Sequence, residues 1–114
     1  MKDEAGFFKA LAEPTRLRLA VLLSLRGETC VCMLAQALAE PEFKVSRHLG
    51  IMRSSGMVQA RRNGAWMYYS LTKPRSAFEK NLQDCLHKCF AGHPTVEADL
   101  KRLSKAACTM KTRR

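Results

Sequence analysis

Apolar residues recur along this chain at helical spacing, interrupted once by two strand-like runs. Near the start, Phe7, Phe8 and Leu11 predict a short helix over residues 3–12, with Asp3 placed to cap it. Glu13-Pro14 ends that helix, and Pro14 suits the first turn of a second one over 15–26. This second segment, TRLRLAVLLSLR, is apolar nearly all round from residue 17 to 25, which places it at the centre of the core; Gly27 closes it. Residues 31–39 predict a third helix with Leu34 and Leu38 inward, and Glu40-Pro41-Glu42 turns the chain into a fourth over 43–55. There Val45, Leu49 and Met52 recur at i, i+4 and i+7, while Ser46, Arg47, Gly50 and Ser54 take the opposite side. Gly56 stands where a helix-terminating glycine belongs.

Next, MVQARR and AWMYYSL flank Asn63-Gly64, the strongest short signal for a hairpin; the type I′ turn it predicts needs positive φ at both residues. Residues 74–91 predict a long helix in which Phe78, Leu82, Leu86 and Phe90 form one strip, suited to packing on another helix or on a second copy. Gly92-His93-Pro94 breaks the chain, and 95–107 can form a last helix with Val96, Leu100 and Leu103 on one side. The expected fold is therefore mainly α with a small β-hairpin: four helices, two strands, a fifth helix and an optional sixth, in one domain over 1–114. A helix pair joined by a short turn (about 31–55) and followed by a basic-tipped hairpin (57–71) is the outline of a winged helix-turn-helix. The helices at about 3–12 and 74–91 are left to make a dimer.

Charge gives this outline a partner. The chain of 114 residues carries a net charge of +10, and between residues 43 and 78 it holds Lys44, Arg47, Arg53, Arg61, Arg62, Lys73 and Arg75 with no acid. The acid-free interval coincides with the fourth helix and the hairpin, which suits double-stranded DNA better than a plain solvated face. Lys44, Ser46, Arg47, His48 and Arg53 are the candidate contacts on the helix, with His48 near the core edge and so either a phosphate contact or a packing residue. Arg61, Arg62 and Asn63 are the candidates on the wing. The start of the chain lacks the apolar run of a signal peptide, and no window approaches ~18 apolar residues, so a cytoplasmic protein without a membrane span is expected. The tail from Lys101 carries six basic residues and no acid, and is expected to fray after Cys108.

Five cysteines, an odd number, in a reducing compartment argue against a disulfide framework and toward metal binding, redox chemistry or burial. Cys30 and Cys32 lie at the start of the third helix, where the helix dipole favours thiolate. Side chains at i and i+2 point about 200° apart in a helix but the same way in an extended segment. Both sulfurs can therefore grip one soft ion only where the helix start is unwound, which would couple a ligand to the adjacent DNA-reading helix. The plainer alternative is two small residues at a loop. Cys85 and Cys89, at i and i+4, share a helix face and are either chelators or buried packing residues. Cys108 is a distant ligand candidate, and a bridge from Cys30 or Cys32 to a remote cysteine would allow redox sensing. His87 and His93 lie near Asp84 and Glu97 at no recognised metal spacing and read as surface histidines. A cysteine-nucleophile enzyme finds no convincing Cys–His–acid arrangement.

Three segments, ALAEPTRLRLAVLL, ETCVCMLAQAL and KVSRHLGIMRSSGMVQARRNGAWMYYSL, together resemble the ArsR/SmtB family of metal-responsive transcriptional repressors over about residues 7–71. The Glu-x-Cys-Val-Cys motif is similar to the arsenite and antimonite branch and to the cadmium and lead branch. The resemblance implies a homodimeric winged-helix repressor that leaves its operator when As(III) or Sb(III) binds, with Cys30 and Cys32 as ligands and no organic cofactor. It also implies that Ser46, His48 and Leu49 match the family's recognition-helix signature. Two departures matter. Arsenite sensors of this type carry a third cysteine three residues after the pair, where this chain has Ala35. The cadmium and lead sensors add N-terminal cysteines, which this chain lacks, and so arsenite is favoured over Cd, Pb or Zn. The zinc sensors' carboxylate–histidine pattern is not present at its usual spacing on the long helix.

Overall fold

In the computed structural model, which describes residues 1–108, the order is α1 (Lys2–Leu11), α2 (Pro14–Arg26), β1 (Thr29–Cys30), α3 (Val31–Leu38), α4 (Glu42–Ser54), β2 (Val58–Asn63), β3 (Trp66–Leu71), α5 (Ala77–Cys89) and α6 (Pro94–Lys105). The expected fraying of the basic tail falls outside the described residues. The winged helix-turn-helix is present, with one addition. Thr29 and Cys30 form a short third strand paired antiparallel with β3, so the sheet runs β1-β3-β2. Two residues are too few to show a period, which is why the sequence pattern did not reveal this strand.

The core is built around α2, whose run Leu19, Ala20, Val21, Leu22 and Leu23 is buried. Pro14 opens that helix and the Glu13 carboxylate accepts the Arg16 N–H at 2.9 Å, a side-chain cap. On α1 the cap is Met1 rather than Asp3; the Met1 carbonyl accepts the Ala5 N–H at 3.1 Å, and Asp3 sits in the first turn, where a carboxylate favours the helix dipole.

The reading helix is held by apolar anchors. Val45, Leu49 and Met52 are fully buried against the core. Ala39 ends α3 in the left-handed region (φ 55°, ψ 43°), where its N–H and that of Glu40 return to the carbonyls of Gln36 and Ala35. Gly56 does terminate the α4 segment with positive φ (86°). The hairpin turn differs from expectation. Asn63 pairs with Trp66, so Gly64 and Ala65 are the central residues, and only Gly64 has positive φ (64°). Glycine at the first central position is the requirement of a II′ turn, and it lets Asn63 remain in the strand.

α5 begins at Ala77, three residues later than expected, because Ser76 caps it by accepting the Glu79 N–H at 3.2 Å. Its strip of Phe78, Leu82, Leu86 and Phe90 lies on the chain's own core, chiefly α2, rather than waiting for a second copy. α6 then runs beside α3, and its Asp99 is fully buried. Asp99 accepts two hydrogen bonds from Arg18 (2.7 and 2.9 Å) and one from Arg102 (2.8 Å). Those guanidinium groups also donate to the carbonyls of Leu38 (3.3 Å) and Ala37 (2.7 Å), orphan acceptors at the C-terminus of α3. No helix among the described residues is long and apolar enough to cross a membrane.

Candidate nucleic-acid interface and thiol site

The buried anchors of α4 leave Phe43, Lys44, Arg47, Gly50, Ile51, Arg53 and Ser54 facing outward. Arg47 and Arg53 are exposed and have no ion pair among the described residues, whereas Lys44 pairs with Glu40 at 3.2 Å. Ser46 is half-buried. His48 turns inward: its Nδ1 lies 3.2 Å from the Arg16 guanidinium and 4.0 Å from the Glu13 carboxylate. Arg16 also donates to the Ala10 carbonyl at 2.7 Å. An arginine can only donate, so a hydrogen bond between the two has Nδ1 as its acceptor. His48 thus joins α4 to the α1–α2 corner. Burial raises the Glu13 carboxyl pKa, but the N–H groups of Arg16 and Thr15 and the nearby positive charge together outweigh it, and the net shift is downward.

The acid-free stretch acquires acids in space. Arg61 binds Glu28 through two hydrogen bonds (2.7 and 3.0 Å), and its guanidinium sits 4.9 Å above the Tyr68 ring. The hydrogen bonds from Arg61 hold the Glu28 carboxyl below its ordinary pKa. Arg75 likewise pairs with Glu79 at 3.2 Å. Arg62 and Asn63 remain exposed near the hairpin tip, and Arg62 has no ion pair among the described residues. Cys30 stands opposite Tyr68, and Tyr68 opposite Arg61, so one row of the sheet links the thiol to the wing base.

The thiols divide into three places. Cys30 is buried, in extended backbone (φ −69°, ψ 142°), and is itself the cap of α3. Cys32, two residues on, lies in the first helical turn and is joined by a disulfide to Cys108, which α6 carries back to the start of α3. This is a single bridge to a remote cysteine, the kind that redox sensing would use, and not a disulfide framework; sequence separation hid the fact that α6 runs alongside α3. Gln36 holds the returning segment. Its amide nitrogen donates to the Ala107 carbonyl at 2.9 Å and its amide oxygen accepts the Ala107 N–H at 3.2 Å. The same nitrogen lies 3.5 and 3.3 Å from the sulfurs of Cys32 and Cys108. Cys85 and Cys89 are exposed, with sulfurs 3.7 Å apart, so burial as packing residues does not describe them. Their hydrogen bond raises the Cys85 pKa. His93 caps α6 by accepting the Thr95 N–H, and His87 contacts the Ser24 carbonyl. Among the described residues no three His, Cys, Asp or Glu side chains converge on a metal-sized site. Glu28, Gln36 and Asp99 were not legible as important from sequence, since each gains its role from a partner 33 or more positions away.

Residues 13–60 match the model of the family described as "Bacterial regulatory protein, arsR family". The arsenical resistance operon repressor of Escherichia coli is 37% identical over 102 residues, which are 90% of this chain and 86% of that one. The chain belongs to the arsR family. As a member it is a DNA-binding transcriptional repressor of the metal-responsive class, and not an enzyme. The arsenic resistance transcriptional regulator ArsR1 of Pseudomonas putida is 47% identical over 64 residues, 56% of this chain but only 50% of that regulator. Among solved structures, the transcriptional repressor BigR of Xylella fastidiosa superposes with a TM-score of 0.66 at 32% identity, covering 79% of this chain and 85% of BigR. The arsR-family core is thus shared from the start of α2 into the wing.

Proposed function

We propose that this arsR-family repressor acts in the cytoplasm as a homodimer, holds operator DNA with α4 and the wing, and lets go when As(III) or Sb(III) closes on Cys30, Cys32 and Cys108. The observation that carries the reading is the return of Cys108 to Cys32. Ala35 leaves the helix one sulfur short of three, and the C-terminal segment supplies a sulfur from elsewhere. With the bridge reduced, arsenite exchanges its three hydroxyls for three thiols, releasing three waters and forming three As–S bonds. Cys30 in the strand and Cys32 in the helix cannot share that centre until the first turn of α3 opens. Opening would pull Thr29 and Cys30 from β3 and loosen the support behind α4. The names of the relatives from E. coli and P. putida, both concerned with arsenic resistance, support an arsenical inducer.

In this reading Arg47 and Ser46 face base edges, Lys44 and Arg53 face phosphates, and Arg61, Arg62 and Asn63 serve the wing. His48 positions α4 through Arg16 and Glu13. The exposed faces of α1 and α5 make the dimer contact; Phe8, 57% exposed and edge-on to Phe78 at 5.5 Å, is its apolar centre. The test is an operator gel shift with reduced protein. Arsenite releases the wild type, while Cys30→Ser, Cys32→Ser and Cys108→Ser variants stay bound. X-ray absorption counts three sulfurs on arsenic. If Cys108→Ser still responds and the Cys85→Ser/Cys89→Ser double variant does not, the third sulfur comes from α5 instead.

The disulfide itself favours a second reading, redox sensing. Peroxide would take two electrons and two protons from the Cys32 and Cys108 thiols, becoming water as the bridge forms. Release of operator by peroxide but not by arsenite selects this reading.

A further inference from the structure

The outward side of α4 is not the solvent face of an ordinary surface helix. Phe43, Arg47, Gly50, Ile51 and Ser54 follow at i, i+4, i+7, i+8 and i+11, so they share one side of the helix, and all are exposed. Phe43, in the first turn, leaves 71% of its surface in water, and Ile51 leaves 44%. Gly50 sits in the helix interior, where glycine is the poorest helix former short of proline. Its φ is not positive, and a Cβ built there meets nothing within 4 Å. The fold of this chain gives no reason for that glycine, so the reason lies in something that approaches from outside. Arg47, between Phe43 and Gly50, is free of ion pairs among the described residues, and the stretch around it carries no acid from residue 43 to 78. A second copy pressed on this face would meet like charge, whereas DNA meets opposite charge.

We infer that Phe43 is a specificity-determining residue that reads the 5-methyl group of a thymine in the major groove, beside a guanine held by Arg47. Gly50 keeps the helix bare where it lies against the DNA backbone. This rests on the operator-binding reading above and names what that surface recognises. The thymine methyl is the apolar group that base pairs present in the major groove, and an aromatic side chain is a suitable partner for it. N-terminal residues of a recognition helix are the ones that meet base edges. Phe43 and Arg47 are four residues apart, a rise of about 6 Å along the helix. That rise is about two base steps of roughly 3.4 Å each, so the thymine and the guanine fall within two base pairs of one another.

The experiment uses the full-length reduced chain and duplexes that it enriches from a randomised pool. Each thymine is replaced in turn by deoxyuridine, which removes only the methyl. At one position per half-site the wild type loses about three- to fivefold in affinity, the worth of one buried methyl-sized group. Phe43→Ala binds the parent duplex more weakly and no longer distinguishes thymine from deoxyuridine at that position, with an unchanged melting temperature, since Phe43 is exposed. Gly50→Ala melts higher yet binds less tightly. Equal wild-type affinity for every thymine and deoxyuridine duplex overturns the inference, and so does a Phe43→Ala variant that keeps the methyl dependence. Loss of self-association in Phe43→Ala with methyl dependence intact assigns the residue to a protein contact and overturns it too. If folded wild type enriches no duplex at all, the operator reading falls with it, a result distinct from tight binding that ignores the methyl.

Discussion

Asp99 is fully buried, yet it is a carboxylate within hydrogen-bond reach of two guanidinium groups, and this fixes where its energy lies. Taking it away strands Arg18 and Arg102 beside the carbonyls they also serve. Asp99→Ala is expected to cost about 3–5 kcal/mol, as for a broken buried pair. Arg102→Ala removes a partner whose side chain is 43% exposed and is expected to cost under about 1 kcal/mol. Urea unfolding of the two variants checks the order. Leu49, also fully buried, is an ordinary core residue whose truncation to Ala is expected to cost about 2–5 kcal/mol. Gly50→Ala has the opposite sign, a gain of about 0.5–1 kcal/mol from helix propensity. Leu49 and Gly50 were legible from spacing alone. Asp99 was not, since in the sequence it is one acid on a helix that carries several charges.

Between elements, the Glu28–Arg61 clasp is the contact that decides how the wing presents its charge. Glu28 precedes the strand that contains Cys30, so the clasp ties the wing to the thiol end of α3. Arg61 cannot serve Glu28 and a phosphate equally. Glu28→Gln is therefore expected to raise DNA affinity and to steepen the log–log salt slope by about 0.9, the worth of one further phosphate contact. Titrating operator affinity against salt for the variant and the wild type measures this. The pH dependence follows from the lowered Glu28 pKa. Its folded value lies below the ordinary 4.5, so the clasp is complete above that value and is lost as pH falls through the lower folded one. An NMR titration of the Glu28 carboxyl and the Arg61 Nε proton reads the transition directly. The acid-free interval marks the charged face, but it hid Glu28, which folds back onto Arg61 from 33 positions away, whereas Glu40 and Glu79 flank the interval and pair locally at i, i+4. Short-range charge counting cannot see partners brought by a sheet edge or a turn.

For the whole molecule, α6 and the segment after it grip α3 at Cys32, at Gln36 and at the carbonyl of Ala37, while Arg18 of α2, paired with Asp99 of α6, takes the carbonyl of Leu38. Chemistry at Cys108 is therefore linked to the helix-turn-helix through α3. The bridge closes a loop spanning 76 residues. In the chain-entropy model such a loop stabilises the oxidised fold by at most about 4.5 kcal/mol. Reductant is expected to lower the wild-type melting temperature, and Cys108→Ser to remove that dependence; calorimetry with and without reductant tests both.

Periodicity and turn chemistry were enough to determine the helices, the hairpin and the buried anchors of α4, because those depend on neighbours within a turn or a strand pair. The basic face was equally local, since its charges are consecutive in one helix and one hairpin. Tertiary structure alone decided which cysteines meet, that a two-residue strand stitches Cys30 to the wing, that His48 faces Arg16, and that α5 lies on its own core. Each of these joins residues far apart in the chain, and a contact of that kind leaves no period for a sequence to display.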